Sequence, residues 1–203
     1  LGAPLNGSYR IPAVLLGFDR LIDKLSLMDL VHSKEELLQI FSEFKGLLCL
    51  LPFDGEHDFS DPKTWKDMLE GIDYEPEDDL KWPLPSAENL KWFKNYREKM
   101  KDALTEDDIK NAVYIAGRDK ATPCSFSIEE KYLGKELVFL STGEGDQSVT
   151  WSGIPKIMKD KNAVYYASVK HGELAFDSDM QRGIKELLAS VATNHFSKQQ
   201  PVI

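Results

Sequence analysis

Apolar positions keep helical spacing through the first hundred residues of this chain, then shift to short β-branched and aromatic runs. The stretch from Ile11 to about Leu30 is apolar and helical in pattern. His32 and Ser33 lead into KEELLQIFSEFKGLLCLLP, where Leu37, Phe41, Phe44 and Leu48 recur at helical spacing and Pro52 supplies the stop. Ser33 and Glu36 have the spacing of a capping box, in which each side chain satisfies a backbone amide that the first turn leaves open. Residues 53–85 carry Pro62, Pro76, Pro83 and Pro85 among many acids, so they predict an irregular excursion around one short helix, KTWKDMLEGI. Ser86 then caps AENLKWFKNYREKMKDAL, whose Leu90, Phe93, Met100 and Leu104 can share one face.

The period changes from Ala112. NAVYIAG is the signature of a buried strand stopped by Gly117, and CSFSIEEKYLGKELVFLST predicts a hairpin turned at Gly134 and Lys135. A further strand is expected in NAVYYASV, residues 162–169, and Ser178 opens a last helix with Ile184, Leu187 and Leu188 apolar, followed by a loose tail, SKQQPVI. The order strand, hairpin, short helix, strand, helix suggests a parallel α/β sheet. Strands as apolar as VYIAG and VYYASV want neighbours on both edges, so a partner segment or association is expected to complete the sheet.

Composition narrows the class. With 203 residues, 42% of them hydrophobic, the chain can bury a real core. It holds 25 Lys and Arg against 34 Asp and Glu, a net charge of -9, with no basic cluster, which argues against a nucleic-acid partner. Cys49 and Cys124 are far apart and in different kinds of segment, the usage of reduced thiols in a cytoplasmic protein. The longest apolar stretch, GLLCLLPF at 46–53, is too short to span a bilayer. The acidic run EPEDD, 75–79, lacks the alternating ligands and glycine of a calcium loop, and no metal or cofactor is expected.

Two residues carry candidate chemistry. Asp146 lies in the loop that ends the apolar run of LVFLSTGEGDQSVTWSG, and His171 follows the strand NAVYYASV. Each alone reads as ordinary: Gly-Asp is turn chemistry, and a histidine after a strand is often a surface residue. Together, acid then histidine at the ends of successive strands, they match what an α/β-hydrolase triad needs, an acid to orient an imidazole that acts as general base. Such a triad also needs a nucleophile on a G-x-S-x-G elbow, and the chain has none. Ser8, Ser125, Ser148 and Cys124 are the imaginable substitutes; none has the flanking glycines, and Cys124 also reads as a small strand-edge hydrophobe. Trp65, Trp82 and Trp92, with Phe53, Phe59, Phe93 and Tyr96, either pack a small helical subdomain or line an acyl-binding lid.

Three stretches carry a family resemblance: LGAPLNGSYRIPAVLLG, GEGDQSVTWSG and VYYASVKHGELAFD. Together they resemble the C-terminal half of an α/β-hydrolase of the lecithin:cholesterol acyltransferase-like lipase/esterase group. That group has G-T-P-x-x-G-S after the strand following the nucleophile, G-D-G-T-V-P around the triad acid, and a strand ending in the triad histidine. Ala3 stands where the pattern has Thr, and Gln147, Ser148 and Thr150 replace Gly, Thr and Pro.

The resemblance implies a partial α/β-hydrolase sheet, its last strands plus a β-hairpin, with a helical cap or lid insertion. Its parts would be a post-nucleophile loop at 1–11, the cap at 12–110, a C-terminal core segment at 111–190 and a tail at 191–203. It implies Asp146 as triad acid, His171 as triad base, and Gly2, Pro4, Gly7 and Ser8 as the loop that shapes the substrate site. The nucleophile would then lie on an N-terminal half outside this chain, which would complete the sheet. The expected chemistry is hydrolysis or transfer of an acyl ester without a cofactor, with the isolated chain inactive. The alternative is a noncatalytic binding or assembly module on a hydrolase-like scaffold.

Overall fold

The computed structural model describes residues 1–53, 55–72, 83–101, 103, 105–132 and 134–202. Trp82, read above as a subdomain or lid residue, Leu104, read as part of a helix face, and the EPEDD run lie outside the described residues. The chain divides into two units, Gly7–Asp102 with Cys124–Leu140, and Leu1–Asn6 with Ala103–Pro123 and Ser141–Ile203.

The first unit is largely helical: α1 Arg10–Leu15, α2 Arg20–Met28, α3 Lys34–Ser42, α4 Lys45–Leu48, α5 Pro62–Glu70 and α6 Ala87–Met100. Two stretches expected as single helices are each broken. After α1 the Phe18 and Asp19 amides both turn back to the Ala13 carbonyl, and Asp19 starts α2 by accepting the Leu21 amide. After α3 the chain restarts at Phe44, whose carbonyl takes the Leu47 and Leu48 amides. The Ser33 and Glu36 capping box is formed, and Asp61 and Ser86 cap α5 and α6.

The core of this unit gathers Leu15, Leu48, Phe59, Trp65, Met68 and Phe93. Trp65 is buried and its indole N–H donates to the Phe59 carbonyl at 3.0 Å, whereas Trp92 stacks on Tyr96 with ring centroids 5.4 Å apart. Met100, expected on the buried face of α6, is 46% exposed. The buried residues of the helix are Asn89, Leu90, Phe93 and Arg97, whose guanidinium lies 4.5 Å over the Phe53 ring, and Met100 comes one turn later at the helix end.

Asp19 does more than cap α2. Arg10 Nε donates to its Oδ2 at 2.6 Å, and an Arg10 terminal nitrogen lies 3.3 Å from Oδ1, so the carboxylate ties the two helices at their bend. Burial by itself would raise this carboxyl; the Arg10 and Leu21 donors outweigh it and hold the group below its ordinary 3.8. A carboxyl depressed on folding contributes stability above its unfolded value and loses it as pH falls through the folded value. Asp19→Ala is expected to cost about 1–2 kcal/mol at neutral pH. In urea melts the gap between wild type and variant should close as the pH drops below 3.8; a gap independent of pH would refute the ion-pair account.

Strands β2 Thr122–Lys131 and β3 Gly134–Thr142 form one two-stranded sheet, antiparallel as so short a connection requires. β2 ends at Lys131 and β3 begins at Gly134, so Gly134 and Lys135, predicted as the turn, belong to β3. Most of this hairpin groups with the helices rather than with the predicted core segment. Phe126 and Leu137 enter the helical core, and the Leu137 amide donates to the Gly71 carbonyl at 2.6 Å.

In the second unit, β1 Tyr114–Ala116 and β4 Val164–Tyr166 pair in parallel, Ile115 opposite Tyr165. The Tyr114 amide donates to Ala163 and the Ala167 amide to Ala116. The Ile115 carbonyl takes the Gly2 amide at 2.8 Å, so residues at the start of the chain lie against β1. Ser197 bridges Tyr166 through two backbone bonds of 2.8 and 3.0 Å. Ser197 of the supposedly loose tail is therefore tied to β4, and Phe196 beside it fills a cluster with Ile115, Ala167, Leu174 and Met180. Helices α7 Glu106–Lys110, α8 Lys156–Asp160 and α9 Ser178–Leu188 complete the unit. Pattern reading missed α7, although Thr105 and Asp108 form a capping box there. Leu188, expected on an apolar face of α9, is 82% exposed. Among the described residues the chain is thus mixed α and β, with two small sheets, one parallel.

Candidate active site

Asp146 and His171 meet in the second unit. Asp146 Oδ2 lies 3.0 Å from His171 Nδ1, and the His171 amide donates to the Asp146 carbonyl at 2.8 Å. The carboxylate is 1% exposed and the imidazole 37%, so the acid is dry while the base can be reached. The other carboxylate oxygen, Oδ1, accepts the Ser148 amide at 3.0 Å and the Val149 amide at 2.8 Å. These two donors compensate the burial of a charge that would otherwise be costly, and they fix the orientation of the carboxylate.

The loop itself is held from several sides. Gln147 has φ of 80°, in the left-handed region that favours glycine, and its amide donates at 2.9 Å to Oγ1 of the fully buried Thr122. The Asp146 amide donates to the Val149 carbonyl and the Asp119 amide to the Gly145 carbonyl. Trp151 donates its indole N–H to the Gly117 carbonyl at 2.8 Å, joining the acid loop to the end of β1. Tyr114 donates its hydroxyl to the Ala3 carbonyl at 2.6 Å; burial, and then the charge of Asp146, push its phenol well up, so it stays a neutral donor. Sequence reasoning did not single out Thr122, Trp151 or Tyr114 for the site. The only local signal was an aromatic residue shortly after the acid.

Gly2 stands against the pair. A Cβ there would come within 2.9 Å of Asp146 Oδ2, 3.2 Å of His171 Nδ1 and 2.7 Å of Leu174 Cδ1, and its φ of +51° also favours glycine. Pro4 is half-buried in the same unit. Gly7 and Ser8 belong to the helical unit: Gly7 packs against the Leu51 carbonyl, the Ser8 amide donates to Leu50, and Ser8 Oγ accepts the Arg10 amide at the start of α1.

Two further nucleophile substitutes, Ser125 and Cys124, have local partners. Ser125 Oγ lies 3.3 Å from Nε2 of His57, whose ring stacks on Phe126 with centroids 3.8 Å apart, all within the helical unit. Cys124 faces the Leu140 carbonyl at 3.5 Å, and burial pushes its thiol up, the opposite of what an activated thiolate needs. Both cysteines are free. Among the described residues, no cluster of three or more His, Cys, Asp or Glu could hold a metal ion, and no helix is long and apolar enough to cross a membrane.

Comparison with protein-family models, with curated proteins and with solved structures found no match.

Proposed function

We propose that Asp146 and His171 are the acid and the base of a serine α/β-hydrolase triad, in a lipase, esterase or acyltransferase of the lecithin:cholesterol acyltransferase-like group. One observation carries the reading: a buried carboxylate bonded to Nδ1 of a half-open imidazole, with its second oxygen held by two backbone amides. In that arrangement Asp146 keeps the Nδ1–H tautomer and leaves Nε2 as the basic nitrogen. Nε2 would take the proton of an attacking serine, return it to the leaving alcohol, and repeat the exchange with water or an acceptor alcohol. Asp146 would stabilise the imidazolium in between. Asp146 lies in the loop after β3 of the antiparallel pair and His171 beyond β4 of the parallel pair, and loops beyond strands are where open α/β folds carry their catalytic groups.

On this reading the serine is supplied from outside these 203 residues, by a preceding segment or by a second polypeptide, because the chain carries no G-x-S-x-G elbow. The test is expression of the longer coding sequence, assayed with a chromogenic short-chain ester and a fluorophosphonate. Ester turnover lost in His171→Ala is the expected result, with the 203-residue chain inactive by itself. A longer protein that neither turns over esters nor takes the label would leave the noncatalytic module as the better reading.

A further inference from the structure

The segment after α9 is first anchored and then laid across the strand ends. Phe196 packs so closely on α9 that a Cβ at Gly183 would come within 2.6 Å of its ring. Ser197 adds its two backbone bonds to Tyr166 at the edge of β4. There the chain bends: Ser197 Oγ donates to the Gln199 carbonyl at 2.9 Å and accepts the Gln199 amide at 3.0 Å. Lys198 bonds the Asn162 carbonyl, and its Nζ lies 3.8 Å from the centre of the Tyr165 ring. Two further contacts follow. Gln200 Nε2 donates to Glu144 Oε1 at 3.2 Å, and an Arg118 terminal nitrogen donates to the Val202 carbonyl at 3.2 Å.

Both partners belong to the segments that hold the candidate pair. The Glu144 carbonyl takes the Trp151 amide at 2.9 Å, which closes the loop around Asp146. Arg118 donates its own amide at 2.9 Å to the Val169 carbonyl, two residues before His171, and the next amide, that of Asp119, reaches the Gly145 carbonyl at 2.6 Å. One short segment therefore ties the edge of β4 to the chain just beyond β1 and just beyond β3. Exposed hydrogen bonds are individually weak, but these are made by a segment already fixed at Phe196 and Ser197, so little further ordering entropy opposes them.

We propose that residues 196–202 are a positioning strap for the Asp146–His171 pair, acting through Gln200 on Glu144 and through Val202 on Arg118. The strap works on the two loops, not on the carboxylate or the imidazole. A catalytic pair must stay within about 0.5 Å of its working geometry, and loops that meet at a single 3.0 Å bond need bracing from outside to do so. The catalytic meaning of the strap rests on the triad reading; its mechanical effect on the loops does not.

Hydrogen exchange of the 203-residue chain, followed amide by amide by NMR, tests the strap. The reporters are the Ser148 and Val149 amides, bonded to Asp146 Oδ1, and the His171 amide, bonded to the Asp146 carbonyl. The Ala167 amide, bonded to Ala116 between β4 and β1, is the control. A chain ending at Gln199 keeps the anchor, the bend and Lys198; its reporters are expected to exchange about 10-fold faster with the control unchanged. Gln200→Glu sets a second carboxylate against Glu144 and should speed the same reporters about 3-fold. Adding Glu144→Gln to it reverses donor and acceptor and should restore the wild-type rates. Reporters unchanged in the shortened chain would overturn the proposal, as would reporters and control accelerated equally, or a reversed pair that restores nothing. Selective loosening, together with no ester turnover in the longer protein, would sink the triad reading and leave the strap standing.

Discussion

Under the proposed triad, Asp146→Asn is expected to leave the fold intact and to lower the ester turnover of a protein that supplies the serine about 10⁴-fold, the loss associated with a wrong histidine tautomer. The substitution is nearly isosteric. An asparagine carbonyl can still accept the Ser148 and Val149 amides that now reach Oδ1 at 3.0 and 2.8 Å. Its amide group would then face His171 Nδ1, where Oδ2 now lies at 3.0 Å, and would donate to it. Nδ1 becomes an acceptor, the ring proton moves to Nε2, and the nitrogen proposed to act as base is no longer one. Nitrogen-15 spectra of the 203-residue chain can read this without any nucleophile: wild type as the Nδ1–H tautomer, the variant as Nε2–H. His171→Ala removes the proposed base outright and should cost turnover at least as much. A wild-type spectrum showing the Nε2–H tautomer at neutral pH would sink the assignment of roles.

The second large effect is on the scaffold. Gly117→Ala is expected to destabilise the chain by about 2–3 kcal/mol, because the new methyl enters space that is already filled. A Cβ at Gly117 would lie 2.3 Å from the Val169 carbonyl oxygen, 2.8 Å from Asp146 Cβ and 3.3 Å from Leu174 Cδ2. The Val169 carbonyl also accepts the Arg118 amide at 2.9 Å, so relief by moving that strand end breaks a backbone bond. Relief by moving the acid loop strains the Trp151 bond to the Gly117 carbonyl and shifts Asp146 off His171. For a chain of this size the expected fall in melting temperature is about 5–10 °C. Gly172→Ala is the matched control: a Cβ there meets nothing within 4 Å, and its effect should stay within about 0.5 kcal/mol. Equal melting temperatures for the two variants would show that the rim tolerates more movement than the packing implies.

The helical caps and the candidate pair were legible for different reasons. Ser33 with Glu36 and Ser86 announced helix starts because a cap is completed within three residues. The break between α1 and α2 was not legible, since it depends on the Ala13 carbonyl taking two amides and on Arg10 reaching Asp19. Met100 and Leu188 have helical spacing, yet both remain exposed, because periodicity names a stripe and only the neighbouring elements decide how far it is covered. The hairpin was found from strand pattern, but its grouping with the helices follows from Phe126 and Leu137 finding Phe59, Trp65 and Met68.

By itself the chain determined which residues could do chemistry: an acid and a histidine in loops beyond apolar strands, in triad order. Tertiary structure decided that their side chains meet. Residues 146 and 171 are brought within 3.0 Å by the parallel pairing of β1 with β4 and by a loop that Thr122, Trp151 and Val149 hold in place. It also set Gly2 against the pair and placed Gly7 and Ser8 in the helical unit. Local hydrogen bonding and periodicity act over a few residues and are written in the sequence, whereas a contact closed across two strands depends on every element that packs between them.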